Sequence, residues 1–203
     1  MPKKKPDYPK LEDEELVSLS KEEDMLAYEE LVHRHRDKLY ARAYSMMRNE
    51  EEASDMAQEA FIKGWQRLEQ FHGQASFSTW MTRITINLCL DLIRKKKRQR
   101  AESVERLEED LGGVERQMDF GLDMPVPWAG LERTELRKRI EKALGKLTEA
   151  HRTVIVLHEF ERLEYKEIAK RLRISIGTVM SRLFYARRRM ASLLAGLKRE
   201  REE

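Results

Sequence analysis

The chain is poor in the residues that build several common classes of protein. Its 203 residues include one cysteine, five prolines and nine glycines. A single cysteine excludes an internal disulfide and a cysteine-rich zinc site. Proline and glycine are the strongest helix breakers, so their scarcity leaves most of the chain free to form helices. The composition therefore predicts an all-α protein.

Long apolar runs are also missing. No stretch approaches the roughly 20 apolar residues that a transmembrane helix needs. The segment MPKKKPDYPK at 1–10 has no apolar core of a signal peptide, and it predicts a loose, disordered tail. We therefore expect a soluble, cytoplasmic protein. No metal-ligand spacing, nucleophile with a paired base or phosphate-cradling glycine loop occurs, which predicts a binding protein without cofactor or metal rather than an enzyme.

Charge, in contrast, is abundant and lies in blocks. The formal net charge is only +3, but basic runs at 94–100 and 182–189 flank an acidic middle segment. At 101–130 acidic residues predominate, and glycines and prolines interrupt any long helix. This segment predicts a flexible acidic linker, with a short helix near 103–111, between two small helical domains. It is interpreted either as a simple connector or as a segment that occupies a groove in a partner.

The first domain is predicted at 11–100, as a bundle of four helices with short joints. A capping-box pattern, Ser20 with Glu23, predicts the start of the first helix, and a second helical run follows it. Asn49 shows the same capping signature at the start of the third helix. The fourth helix belongs to the segment 71–100.

That segment, FHGQASFSTWMTRITINLCLDLIRKKKRQR, joins a polar turn, aromatics, an apolar stripe and a block of cations. The stripe has helical spacing and predicts core residues, with Cys89 as a small hydrophobe among them. Its members are Phe77, Trp80, Met81, Ile84, Leu88 and Leu92. The cations are interpreted either as a solvated helix end, favoured by the helix dipole, or as a track for phosphates beside aromatic faces for unpaired bases.

The second domain is predicted at 131–203, with Thr148 as the cap of its second helix. Its helices are expected at 131–144, 148–160, 164–172 and from Ser175 to about Leu197.

The segment LEYKEIAKRLRISIGTVMSRLFYARRRM within this domain has the form of a helix-turn-helix. Ile168 and Ala169 lie on its first helix, and Ser175 can cap the second, whose N-terminal part suits a major groove. Arg173 stands in the turn, where glycine with a positive φ is common. Polar residues on the second helix predict contacts to base edges, and the arginines predict contacts to phosphates.

Three segments, in this order, resemble one protein family. They are DMAQEAFIKGW (55–65), FHGQASFSTWMTRITINLCLD (71–91) and LTEAHRTVIVLHEFERLEYKEIAKRLRISIGTVMSRLFYARR (147–188). With them the chain resembles an extracytoplasmic-function (group 4, sigma-70 family) sigma factor of bacterial RNA polymerase. The resemblance assigns sigma region 2 to 11–100 and sigma region 4, the helix-turn-helix domain, to 131–203.

The resemblance implies that the protein gives core polymerase its promoter specificity. It would bind the β′ clamp and β subunits, recognise the minus-ten and minus-thirty-five promoter elements, and help to melt the DNA. An anti-sigma factor is implied as a further partner. The acidic linker resembles the connector that threads through the polymerase toward the RNA exit path.

The resemblance also implies roles for individual residues. Those implied to contact the β′ clamp are Asp55, Gln58, Glu59 and Trp65, the last with a core position as its alternative. Those implied to face the minus-ten element, where the family captures a flipped base, are Gly73, Gln74, Ala75, Ser76, Phe77, Ser78, Thr79, Trp80, Arg83 and Asn87. Relatives often have aspartate at Gln74, which leaves the selected base open, and Trp80 has a purely structural alternative.

The helix that begins at Ser175 corresponds to the reader of the minus-thirty-five element. The implied contacts are Thr178, Met180, Ser181, Arg182, Phe184, Tyr185 and Arg188, with Arg152 gripping a phosphate. Met180 and Tyr185 replace the basic residues common at these positions, so the DNA preference should differ from that of better-known relatives.

Two other functions fit parts of the sequence. A stand-alone helix-turn-helix regulator would bind duplex DNA without polymerase, but it would leave 55–65 and 71–91 without a purpose. An enzyme acting on DNA, such as a recombinase, would need a metal cluster, and the acidic residues form no convincing one. A pull-down with core polymerase tests the first alternative, and a cleavage assay with magnesium tests the second.

Overall fold

The computed structural model describes residues 6–108 and 131–199, and every regular element among them is helical. The α-helices are α1 (Asp13–Lys21), α2 (Met25–Met47), α3 (Glu50–Gln66), α4 (Phe77–Glu108), α5 (Leu131–Gly145), α6 (Glu149–Ile155), α7 (Tyr165–Leu172) and α8 (Ile176–Arg199). Short 3-10 turns lie at Tyr8–Lys10 and Leu68–Gln70, and a π-helical turn, Val156–Phe160, continues α6. The all-α prediction is confirmed. None of the described helices is both long enough and apolar enough to cross a membrane.

The chain divides into two compact units, with the boundary between Ile93 and Arg94. Helix α4 continues through this point, so the cations at 94–98 lie inside a helix, and the interpretation of a helix end there was wrong. Residues 101–108, the start of the predicted linker, belong to the same helix. Tyr8–Lys10 likewise forms a 3-10 turn rather than a loose tail. The rest of the predicted linker and the first five residues lie outside the described part of the chain.

The helix starts of the first unit follow local hydrogen bonding. The carboxylate of Asp24 caps α2 by accepting two backbone N–H groups of its first turn at 3.0 and 3.2 Å. The prediction of a cap at Ser20 was wrong, because Ser20 lies inside α1 and its Oγ donates to the Leu16 carbonyl at 2.7 Å. The two helical runs predicted after it form the single helix α2. Asn49 caps α3 as predicted, since its side chain accepts the Glu52 N–H at 2.9 Å.

Helices α2, α3 and α4 meet closely at Gly64. A Cβ at this position would lie 2.6 Å from Met81 Sδ and 2.9 Å from the Tyr28 hydroxyl. That hydroxyl donates to the Phe61 carbonyl at 2.7 Å, and burial raises its pKa. The predicted stripe of α4 is largely buried against these helices, at Phe77, Met81, Ile84 and Leu88. One face of α4 is thereby fixed in the core.

Cys89 lies in this core and gives a simple test of it. The thiol is 0% exposed, and burial raises its pKa to about 12. Because the thiolate is the reactive form, we expect a disulfide reagent at pH 8 to label native Cys89 at least about 100-fold more slowly than the guanidinium-unfolded chain. Cys89→Ala provides the unlabelled control. Equal labelling rates in the two states would show that the thiol is not buried.

The second unit packs α5, α6 and α7 against α8. Thr148 caps α6 as predicted, with its hydroxyl accepting the His151 N–H at 3.4 Å. Ser175 caps α8 as predicted and accepts the Thr178 N–H at 3.0 Å. The residues buried where α7 crosses α8 are Ile168, Ala169, Val179 and Leu183. These two helices form the predicted helix-turn-helix.

The turn between α7 and α8 is closed by Arg173 in the left-handed conformation, with φ 53° and ψ 48°. The N–H of Ile174 donates to the Ala169 carbonyl at 3.1 Å, which is the long hydrogen bond of a Schellman motif. A left-handed conformation costs a side-chain-bearing residue about 1–2 kcal/mol, and the hydrogen bonds of the motif offset part of this. Arginine therefore replaces the glycine typical of this turn without changing its form.

Candidate nucleic-acid interface

The segment 71–76, called the recognition loop below, connects the buried part of the first unit to α4. Phe71 is buried at its start, and His72, Gly73 and Gln74 are exposed at its tip. Gly73 has φ 70°, a conformation that glycine adopts without strain. At the far end Ser76 caps α4, with its Oγ accepting the Thr79 N–H at 3.2 Å. The loop therefore has fixed ends and an exposed tip.

Two residues implied to contact the minus-ten element lie inside the protein instead. Phe77 is 2% exposed and packs edge-on against Phe71, with ring centroids 6.1 Å apart. Ser78 is 8% exposed, and its Oγ accepts a hydrogen bond from Lys38 Nζ at 2.6 Å. Neither side chain offers a surface on which a base can stack. The inference of direct DNA contacts is corrected for both residues. Their side chains instead hold the start of α4, next to the recognition loop, against the core.

The exposed face of α4 begins at Trp80, which is partly buried. Its ring packs on Phe71 and Phe77, with centroid distances of 5.1 and 5.9 Å. Arg83 and Asn87 follow at spacings of three and four residues and are exposed on the same side of the helix. An aromatic edge, a cation and an amide thus line up along α4, in a row that starts just after the recognition loop. Further along α4, Lys95, Lys97 and Arg98 are also exposed.

Helix α3 presents the side chains implied to dock on the polymerase. Asp55 and Gln58 are exposed, and Glu59 is partly exposed and pairs with Lys63 at 3.3 Å. Trp65 is partly buried and packs edge-on against Tyr28 at 4.9 Å, so it serves the core as well.

Ile62 is an exposed position on α3 that the sequence reading missed. It is 54% exposed and lies three residues after Glu59 and seven after Asp55, on the same face. Its helical spacing from these two residues could have predicted its place on this face from the sequence. An apolar side chain surrounded by polar ones marks the centre of a contact surface better than charges alone.

The exposed face of α8 carries several large apolar side chains. Met180, Phe184 and Tyr185 are 54%, 61% and 56% exposed, and the two aromatic rings meet edge-on at 5.4 Å. Ile176, which is 42% exposed, extends this face toward the start of the helix and was missed from the sequence. The implied polar residues on or beside it are Thr178, Ser181, Arg182 and Arg188, all at least partly exposed.

Two arginines of the second unit make hydrogen bonds to other residues of the same unit. Arg187 pairs with Glu159 at 2.7 Å, and hydrogen bonding to this carboxylate raises the Arg187 pKa. Arg152 is 8% exposed, and its Nη1 donates to the Leu147 carbonyl at 3.3 Å. The implied phosphate grip by Arg152 is corrected accordingly, because its guanidinium lies within the unit and holds the chain before α6.

Comparisons with known proteins agree with both units. The family description "Sigma-70 region 2" matches residues 31–99, and "Sigma-70, region 4" matches residues 137–190. The solved structure of the sigma factor RpoE with the anti-sigma factor NepR from Bartonella quintana is similar in fold. It has a TM-score of 0.52 and 21% identity and covers 83% of this chain and 96% of that one.

Curated relatives match over nearly the whole chain. The ECF RNA polymerase sigma factor SigW of Bacillus subtilis is 34% identical over 180 residues, which cover 87% of this chain and 94% of the relative. The RNA polymerase sigma-H factor of Pseudomonas aeruginosa is 33% identical over 190 residues, covering 93% and 97%. The ECF RNA polymerase sigma-E factor of Escherichia coli K12 is 31% identical over 181 residues, covering 87% and 91%. The chain therefore belongs to the extracytoplasmic-function sigma factors of the sigma-70 family.

Proposed function

We propose a division of roles within this sigma factor, which confers promoter specificity on bacterial RNA polymerase and initiates transcription. The first domain, 11–100, binds core polymerase and the minus-ten element. The second, 131–203, binds the minus-thirty-five element. The observation that carries the proposal is the row on α4 formed by the partly exposed Trp80 and the exposed Arg83 and Asn87, which starts just after the exposed tip of the recognition loop. This row lies on a helix whose opposite face is fixed in the core.

Such a row suits strand separation. Unstacking one base costs a few kcal/mol, and the protein must offset this to keep the base out of the duplex. Stacking a base on an aromatic side chain contributes about 1–3 kcal/mol, and Trp80 is the aromatic residue beside the exposed loop tip. Arg83 supplies charge for the phosphate backbone. The exposed cations Lys95, Lys97 and Arg98 extend the same attraction along α4.

The α8 face fits recognition of a duplex with thymine in the contacted positions. Apolar side chains contact the thymine methyl group in the major groove, and Met180 and Phe184 are exposed for this. Ser181 and Arg182 offer polar contacts, and Arg188 reaches toward phosphates. Met180 and Tyr185 replace residues that are basic in many relatives, so we infer a distinct minus-thirty-five preference.

We further infer that the protein is not an enzyme, acts in the cytoplasm and is held inactive by an anti-sigma factor. The similarly folded RpoE of Bartonella quintana was solved with the anti-sigma factor NepR, which supports the last point.

Docking on the polymerase gives a test with a matched control. We expect Asp55→Lys to lower affinity for core polymerase about tenfold or more, because a central contact on α3 would change sign. Glu14→Lys, an equally exposed change on α1, should leave the affinity within about twofold. Binding of fluorescently labelled protein to core polymerase measures both. Equal affinities for the two variants would contradict the α3 docking surface.

Run-off transcription with core polymerase on a genomic fragment library tests the function as a whole. We expect a set of start sites that share two upstream elements, and no such transcripts when the protein is omitted. Binding to duplex DNA without any polymerase-dependent transcript would favour the stand-alone regulator.

A further inference from the structure

We propose that Lys38 and Lys21 are positioning residues that hold the two ends of the recognition loop and so determine which base its tip selects. This inference rests on the proposed minus-ten role of that loop. Neither lysine belongs to the residues implied to touch DNA. Both act across the fold, from helices that come before the loop in the chain.

Lys38 holds the end of the loop that enters α4. Its Nζ donates to Ser78 Oγ at 2.6 Å, and Ser78 is 8% exposed. A hydrogen bond from an ammonium group is shorter and stronger than one between neutral groups. Phe77 is buried next to it, and Trp80 stands two residues further on. The bond therefore fixes the first turn of α4 relative to α2.

Lys21 holds the other end. It is the last residue of α1, and its Nζ donates to the Phe71 carbonyl at 2.8 Å. Phe71 is the buried residue from which the exposed part of the loop starts. Helix α1 lies before the segment 31–99 that matches sigma region 2, so an element outside the matched region supports the loop.

The segment before α1 is itself fastened to α2, chiefly by Arg34. Its guanidinium donates to the Leu11 carbonyl at 2.8 Å and the Tyr8 carbonyl at 3.1 Å. His35 Nε2 and Asp13 Oδ2 lie 2.7 Å apart, and the His35 ring is 5.5 Å from that of Phe77. Lys21 therefore bonds the loop from a helix that is itself held against α2.

The tip between the two ends has little packing of its own. A Cβ built at Gly73 meets nothing within 4 Å, and His72 and Gln74 are exposed. Because the tip is not packed against the core, its position follows from where its ends are held. Loosening one end should therefore broaden base selection and slow opening while the fold is retained.

The test uses the full-length protein with core polymerase and a promoter library varied in the minus-ten element. We expect Lys38→Met and Ser78→Ala each to slow open-complex formation about three- to tenfold, as loss of a charge-assisted hydrogen bond predicts, and to weaken base preference. The double variant should be no worse than either single one, because both remove the same bond. Lys38→Arg, which keeps a cationic donor, should recover part of the preference.

A direct phosphate contact by Lys38 gives a different pattern. The effects of Lys38→Met and Ser78→Ala would then add, and the salt dependence of DNA binding would fall in Lys38→Met alone. That result overturns the positioning role, as does unchanged base preference in the lysine variants. Affinity for core polymerase and the unfolding temperature are measured for each variant, and both should stay close to wild type.

Lys21 is tested by the pair Lys21→Met and Lys21→Arg. Lys21→Met should weaken minus-ten preference without changing minus-thirty-five preference, and Lys21→Arg should restore it. Gln74→Ala separates the inference from the function on which it rests. If Gln74→Ala changes base preference and the lysine variants do not, only the positioning role is wrong. If neither Gln74→Ala nor the lysine variants change base preference, both the positioning role and the minus-ten role of the loop are wrong.

Discussion

Replacing Trp80 and Arg83 together with alanine is expected to slow promoter opening by about 100-fold, the combined loss of one stacked base and one phosphate contact. Arg83 is exposed and Trp80 partly exposed on α4, while the docking residues lie on α3. Affinity for core polymerase should therefore change by less than about twofold. Permanganate reactivity of promoter thymines measures opening, and binding of labelled protein measures docking.

Trp80 also packs on Phe71 and Phe77, so loss of packing must be separated from loss of stacking. Trp80→Phe with Arg83→Lys is the matched control, because it keeps an aromatic ring and a positive charge. This variant should retain most of the opening rate. Unchanged permanganate reactivity in the alanine variant would contradict the proposed role of this face in strand separation.

Sequence was a reliable guide where structure depends on neighbouring residues. The caps at Asn49, Thr148 and Ser175 were predicted because each hydroxyl or amide bonds an N–H three residues ahead. The buried stripe of α4 followed from helical spacing in the same way. The two helical units and the helix-turn-helix were likewise visible in the pattern.

Errors arose where two local capping patterns compete and where a contact joins distant parts of the chain. The pattern at Ser20 matched a capping box, but Asp24 makes the hydrogen bonds that start α2. Helical spacing correctly placed Phe77 in the core, whereas the family resemblance implied a DNA contact for it, because a resemblance transfers a role without showing which aromatics are covered by another helix. Likewise Lys21 and Lys38, which bond residues 50 and 40 positions away, carry no local signal.

The exchange of Met180 and Ser181 is expected to change minus-thirty-five preference by about tenfold or more at the contacted base pairs, because one mismatched pair costs about 1–3 kcal/mol. Met180 is 54% exposed, whereas the Ser181 hydroxyl donates to the Thr178 carbonyl at 3.1 Å. Exchanging them moves the apolar side chain around the helix and away from the thymine methyl group that it is proposed to contact. Selection from a library varied in this element measures the change.

Arg188→Ala is the control for this exchange, because it removes a proposed phosphate contact rather than a base contact. Removing a phosphate contact should weaken binding to all promoters alike and reduce the salt slope by about 1, with preference unchanged. The exchange should do the opposite and leave the salt slope and core affinity intact. If the exchange instead lowers core affinity without altering preference, α8 contacts polymerase rather than base edges. The apolar face of Met180, Phe184 and Tyr185 would then be a protein-binding surface.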